Sequence, residues 1–170
     1  QWCPGAGLTG HTLLMDSDIT VLICTYNGAG RLPACLRAVC EQRLAAGVSW
    51  EVLVIDNAST DGSAAVARSL LADSGIEHRV VVESQPGKTH ALRRGARMAK
   101  GRLIAIVDDD NLLEPDWVAQ ALAFFADHPR AGVIGGKVLP RYEIEPPAEV
   151  LPLVGLLAIK DHGDADVCGI

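Results

Sequence analysis

WEVLVIDNASTDGSAAVARSLLADSGIEHRVVVE, residues 50–83, holds one complete unit of the pattern that decides the fold. Its first seven residues, WEVLVID, are mostly apolar and β-branched, which suits a strand buried on both faces. NASTDG follows, rich in side chains that bond to local backbone and so favour a loop. SAAVARSLLADSG then reads as a helix ended by Gly75, and HRVVVE as a second strand. Strand, helix, strand is the unit of a parallel sheet, because parallel strands need a long crossover.

The same unit recurs on either side. Upstream, ITVLICT is a strand-like run, YNGAG a loop, and LPACLRAVCEQ a helix with Leu32, Cys35, Leu36 and Val39 at helical spacing and Pro33 in the first turn. Downstream, SQPGKTH is a Pro/Gly loop, ALRRGARMAK a helix ended by Gly101, and RLIAIV a fourth strand. DDDN opens another loop, PDWVAQALAFFADH a helix closed before Pro129, and AGVIGGKVL a predicted fifth strand. The expected fold class is α/β, a mostly parallel central sheet flanked by helices on both faces.

The chain has 170 residues, 49% of them hydrophobic, which fits one soluble globular domain with a substantial core. A net charge of −6 argues against a nucleic-acid binder. The one basic cluster, Arg93, Arg94, Arg97 and Lys100, spans more than one helical face and reads as a solvated surface. No apolar run approaches the roughly 20 residues of a membrane helix, and no signal-peptide pattern occurs, so a cytoplasmic location is expected. Five cysteines, Cys3, Cys24, Cys35, Cys40 and Cys168, lack paired metal-ligand spacing and read as mostly structural thiols. Residues 1–16 are expected to be an upstream tail, since QWCPGAGLTGHTLL shows no periodicity and Met15 heads the first strand like a natural start. The closing DADVCGI reads as the approach to another strand, which predicts a truncated chain.

In parallel α/β sheets ligands bind beyond the carboxyl ends of the strands. The residues there are Thr25, Tyr26 and Asn27; Asp56 and Asn57; the loop 85–89; and Asp108, Asp109 and Asp110. So many carboxylates on one edge predict a cation. Mg²⁺ or Mn²⁺ takes oxygen ligands and needs only one or two carboxylates when a phosphate supplies the rest. Lys88 is placed to meet phosphate charge. Tyr26, one of seven aromatics (three Trp, two Tyr, two Phe), can stack on a flat base while Asp56 accepts a hydrogen bond from a base N–H. Uracil or thymine suits that pair. GxGxxG does not follow the first strand, and no GxxxxGK[ST] occurs, so dinucleotide and P-loop readings lose their support.

Four linked segments, TVLICTYNGAGRLPACLRAV, EVLVIDNASTDGS, GKTHALRRGARMAKGRLIAIVDDDN and EPDWV, resemble family 2 glycosyltransferases of the GT-A fold in order and spacing, over residues 19–138. The resemblance implies a nucleotide-binding set of Thr25, Tyr26, Asn27, Asp56, Lys88, Asp108 and Asp109, with Asp56 bonding the base and Lys88 near the phosphates. DDD takes the place of the family's DxD element: Asp110 is carried over as the metal ligand, and Asp108 or Asp109 faces the ribose or sugar. Arg93 stands where many members have Asn. Residues 17–138 are then the nucleotide-sugar-binding half and 139–170 the start of an acceptor-binding half, with the general base, a carboxylate, expected beyond residue 170. Asp161, Asp164 and Asp166 come too early for that role, and DHGDAD reads as a polar loop. The implied activity is metal-dependent, inverting transfer of a sugar from a nucleotide diphosphate-sugar donor to a glycan or lipid-linked acceptor, as in polysaccharide biosynthesis. Membrane contact is expected only through later segments.

Two other classes share parts of this pattern. A sugar-phosphate nucleotidyltransferase also places a metal and a nucleotide beyond its strands but wants a Gly-rich, basic loop where this chain has YNGAGR. A non-enzymatic phosphoacceptor signalling domain wants an acidic pair after the first strand, where CTYN stands.

Overall fold

The computed structural model describes residues 17–142, 144–156, 159 and 163. The tail expected at residues 1–16, Cys3 and Cys168, and the Asp residues of DHGDAD lie outside the described residues. The described chain runs β1 (Ser17–Thr25), α1 (Leu32–Cys40), β2 (Trp50–Asn57), α2 (Ser63–Ala72), β3 (Glu77–Glu83), α3 (Lys88–Met98), β4 (Gly101–Asp108) and α4 (Trp117–Asp127). The strands form one sheet in the order β3-β2-β1-β4, and every pairing is parallel.

Alternate residues of the central strands point to opposite faces, and each face meets its own helices. Ile19, Val21 and Ile23 of β1 pack with Leu36 of α1, Leu71 of α2 and Val118 of α4. Leu22 of β1 and Leu53 and Ile55 of β2 pack on the other face with Ala91 of α3. α3 approaches closely because Gly95 has no side chain: a Cβ there would collide with the Leu22 side chain. The register aligns the strand ends that matter, pairing Thr25 with Asp56 and Cys24 with Asp108.

A polar network ties the opposite end of the sheet. Glu51, fully buried, accepts hydrogen bonds from Thr20 Oγ1 (2.8 Å), Arg79 Nε (3.1 Å), Arg79 Nη2 (2.7 Å) and the Lys100 backbone N–H (2.8 Å). Thr20 in turn accepts from Gly101 N–H at 2.9 Å, so one carboxylate joins all four strands and the α3–β4 turn.

Three sequence expectations are corrected. AGVIGGKVL is not a strand: residues 131–139 are irregular apart from an isolated bridge at Val138. Val133 and Leu139 there are 86% and 62% exposed, so the burial that rewards a strand is missing, and the glycines raise its entropic cost. The helices before Gly75 and Gly101 stop earlier, at Ala72 and Met98. Lys88 belongs to the first turn of α3 rather than to the preceding loop. The chain divides into two compact units after Asp127; the second contains a short 3₁₀ helix, Leu151–Leu156. Among the described residues no helix is long and apolar enough to cross a membrane.

Candidate active site

At the carboxyl ends of β1, β2 and β4 lies a cleft of about 300 Å³ lined by Cys24, Thr25, Tyr26, Arg31, Asn57, Lys88, Ala91, Asp108, Asp109 and Asp110. Its walls are two loops and a helix start. The loop after β1 is zipped to the loop after β2: Asn27 N–H donates to Ser59 Oγ (3.0 Å), Gly28 N–H to Ser63 Oγ (2.9 Å) and Ala29 N–H to Asp61 Oδ2 (2.9 Å), while Thr60 N–H donates to Asn27 Oδ1 (2.9 Å). The Ser63 hydroxyl and the Ala29 N–H hold the Asp61 carboxyl below its ordinary value. Asn57 shapes the third wall, donating from Nδ2 to Gln85 O (2.7 Å) and accepting from Gly87 N–H (2.7 Å) just before α3.

The three aspartates do not act alike. Asp108 is half-exposed and accepts from Lys88 Nζ at 2.6 Å, a bond that also raises the lysine's pKa. Asp109 is nearly buried, and both its oxygens are taken, Oδ1 by Arg31 Nε (3.1 Å) and Oδ2 by Arg31 Nη2 (3.0 Å) and Thr25 Oγ1 (2.6 Å). That carboxylate pushes the Arg31 pKa up. Asp110 is exposed and makes no hydrogen bond or ion pair among the described residues. The repulsion that three adjacent acids would suffer is thus met by two cations, which leaves one carboxylate free.

Of the strand-end and loop residues singled out in the sequence, the cleft brings together Thr25, Tyr26, Asn57, Lys88, Asp108, Asp109 and Asp110. Tyr26 is 59% exposed, its ring open to solvent at the mouth. Asn27 and Asp56 are not among the cleft's lining residues: the Asn27 amide is engaged with Thr60, and Asp56 sits beside Thr25 on the adjacent strand with Oδ1 accepting from Ser59 N–H (3.2 Å). Among the described residues no buried side-chain oxygen is unpaired, so Asp56 Oδ2, which has no donor among them, reaches solvent. Sequence reasoning missed Arg31 altogether. Its only local signal is a single cation between the loop and α1 in a chain whose acids need partners. Of the basic cluster, Arg93, Arg94 and Arg97 lie with His90 on a separate concavity, where Arg94 pairs with Glu83; Lys100 does not line it and pairs with Glu77. Cys24, Cys35 and Cys40 are free thiols; burial pushes Cys35 up to about 12 and Cys24 up to about 11, so both stay protonated near neutral pH.

Among the described residues no three His, Cys, Asp or Glu side chains converge into a cation cage. One free, exposed carboxylate beside a lysine at a helix start fits a hard cation of the Mg²⁺ type held jointly with a diphosphate, which such ions prefer to all-protein cages.

Residues 20–150 match the family model described as Glycosyl transferase family 2. The chain belongs to that family. Within it, the chain is 29% identical over 123 residues to a PGL/p-HBAD biosynthesis glycosyltransferase of Mycobacterium bovis, covering 72% of this chain and 47% of that protein. It is 28% identical over 120 residues to glycosyltransferase AglE of Haloferax volcanii, covering 71% of this chain and 39% of the relative. The chain therefore spans less than half the length of these relatives. Among solved structures, the mannosyltransferase PcManGT of Pyrobaculum calidifontis, in complex with GDP-Man and Mn²⁺, is 33% identical with a TM-score of 0.61, over 65% of this chain and 33% of that one. S. aureus TarS 1–349 in complex with UDP, 20% identical with a TM-score of 0.61 over 73% of this chain and 38% of that one, shares the fold. This glycosyltransferase chain accordingly has the parallel, helix-flanked sheet of GT-A proteins.

Proposed function

We propose that this family 2 chain binds a nucleotide diphosphate-sugar donor together with a divalent metal, Mn²⁺ or Mg²⁺, for inverting transfer of the sugar to an acceptor hydroxyl. The observation that carries the reading is the placement around one cleft of an exposed ring, Tyr26, a cation at a helix N-terminus, Lys88, and an unpaired carboxylate, Asp110. Tyr26 stacks on the base and Asp56 Oδ2 accepts from a base N–H. Lys88 and the first turn of α3 meet the phosphates, since a helix start offers free N–H groups and positive potential. Asp110 holds the metal, and Asp108, released from Lys88 as that lysine turns to phosphate, faces the ribose. A divalent cation bound there would stabilise the charge that develops on the leaving diphosphate. Attack by the acceptor oxygen on the anomeric carbon, with departure of the nucleoside diphosphate from the opposite side, inverts that carbon. The acceptor's proton passes to a carboxylate outside this donor cleft. The GDP-Man and Mn²⁺ bound by the 33% identical mannosyltransferase support a nucleotide-sugar donor and a metal.

Calorimetric titration of the protein with UDP, dTDP and GDP, each with and without Mn²⁺, in wild type and Asp110→Ala, tests this. Metal-dependent binding of one diphosphate, lost in the variant, is expected. Equal binding by folded Asp110→Ala would remove the metal assignment, and no binding of any diphosphate by the folded wild type would remove the donor site.

A further inference from the structure

We propose that Arg31 is a positioning residue that withholds Asp109 from the ligand and so sets which of the three adjacent aspartates face the metal and the nucleotide. The inference rests on the donor-site reading and adds to it a residue, Arg31, that touches neither ligand in that reading.

Asp108, Asp109 and Asp110 follow one another in a tight turn closed by Asn111 N–H donating to Asp108 O at 3.1 Å. Their backbone alone gives no reason why the middle carboxylate should turn inward. The guanidinium of Arg31 does, because its planar fork matches both carboxylate oxygens, and Thr25 Oγ1 adds a third donor. With three donors on Asp109, at least one on each oxygen, and the residue only 9% exposed, a cation would have to compete with a charge-assisted pair to use it. All three line the cleft, but Asp108 and Asp110, on either side, are the exposed ones. Arg31 Nη2 also lies 3.4 Å from the Tyr26 carbonyl, so the same side chain links the metal-side turn to the loop that carries the exposed ring. Gly28 makes the space for this clamp: a Cβ there would fall well inside 3.0 Å of both Thr25 Oγ1 and Asp109 Oδ2.

The clamp predicts opposite signs for two affinities, which loss of structure would not produce. In Arg31→Met, a positive charge is gone and Asp109 is free to chelate. Nucleotide-free Mn²⁺ binding, read from the free-ion electron paramagnetic resonance signal, should therefore tighten by about fivefold. Binding of the diphosphate that the wild type prefers, measured by calorimetry at saturating Mn²⁺, should weaken by about tenfold as the aspartate register is lost and an anion meets one more carboxylate. Arg31→Lys keeps the charge but not the fork, and should fall between the wild type and Arg31→Met in both assays. Both affinities unchanged in Arg31→Met, or both reduced together, would overturn the clamp while the wild-type titration leaves the donor site standing. A wild type that binds neither probe would instead remove the donor site and the clamp with it. Should Arg31→Met fail to melt cooperatively, Arg31→Lys decides: wild-type values in both assays overturn the proposal.

Discussion

Replacing Glu51 by Gln should cost about 3 kcal/mol of stability without touching the donor cleft. Glu51 is fully buried at the end of the sheet away from the cleft, where its two oxygens receive Thr20, both nitrogens of the Arg79 fork and the Lys100 N–H. An amide keeps the shape but points an N–H₂ group at donors and removes the charge. Breaking a buried ion pair by changing one partner costs about 3–5 kcal/mol. The lower end applies here, because the Arg79 side chain is 28% exposed and can recover some hydration. With about 3–4 °C per kcal/mol for a domain of this size, the melting temperature should fall by about 10 °C. Urea denaturation followed by circular dichroism measures the loss. The double variant Glu51→Leu with Arg79→Met should lose less than Glu51→Gln alone, since no charge is left unpaired. A Glu51→Gln midpoint within about 1 kcal/mol of wild type would refute the reasoning. So would a folded Glu51→Gln protein whose diphosphate affinity drops, since it would tie this network to the site.

Gly28→Ala should destabilise by about 1–3 kcal/mol, because its Cβ meets Thr25 and Asp109 in a packed corner; a melt at wild-type temperature would contradict that. Lys88→Met should weaken diphosphate binding by about tenfold or more in calorimetry, as a bond to a charged group contributes about 1.5–3 kcal/mol. The same variant should leave urea stability within about 1 kcal/mol of wild type, since the Lys88–Asp108 pair is exposed on both sides. Asp61 predicts acid sensitivity. Its folded pKa is lowered from 3.8, so its stabilisation is complete well above that value and is lost as pH falls through 3.8 to the depressed folded pKa. Asp61→Asn should flatten the stability profile in that window, and an unchanged profile in acid titration would discount the Ser63 and Ala29 contacts.

How much of the site could be read in advance differs residue by residue. Tyr26, Lys88 and the aspartates were legible because each ends or follows a strand or opens a helix, and parallel topology sends all such positions to one edge. Asn27 and Asp56 share that logic, yet they serve the loops first: Asn27 adopts a left-handed conformation, φ 46°, and turns its amide to Thr60. The predicted strand at residues 131–139 failed for a related reason, since apolar content alone does not supply a neighbour to cover Val133.

What the sequence by itself determined is the alternation of strand and helix, and with it the edge where the chemistry gathers, since periodicity and turn chemistry are written in consecutive residues. Only the tertiary structure decided which aspartate is locked and which is free. Arg31 and Asp109 lie 78 residues apart and meet because β1 and β4 pair in parallel register, and no local pattern encodes a contact that exists only after the crossovers have docked.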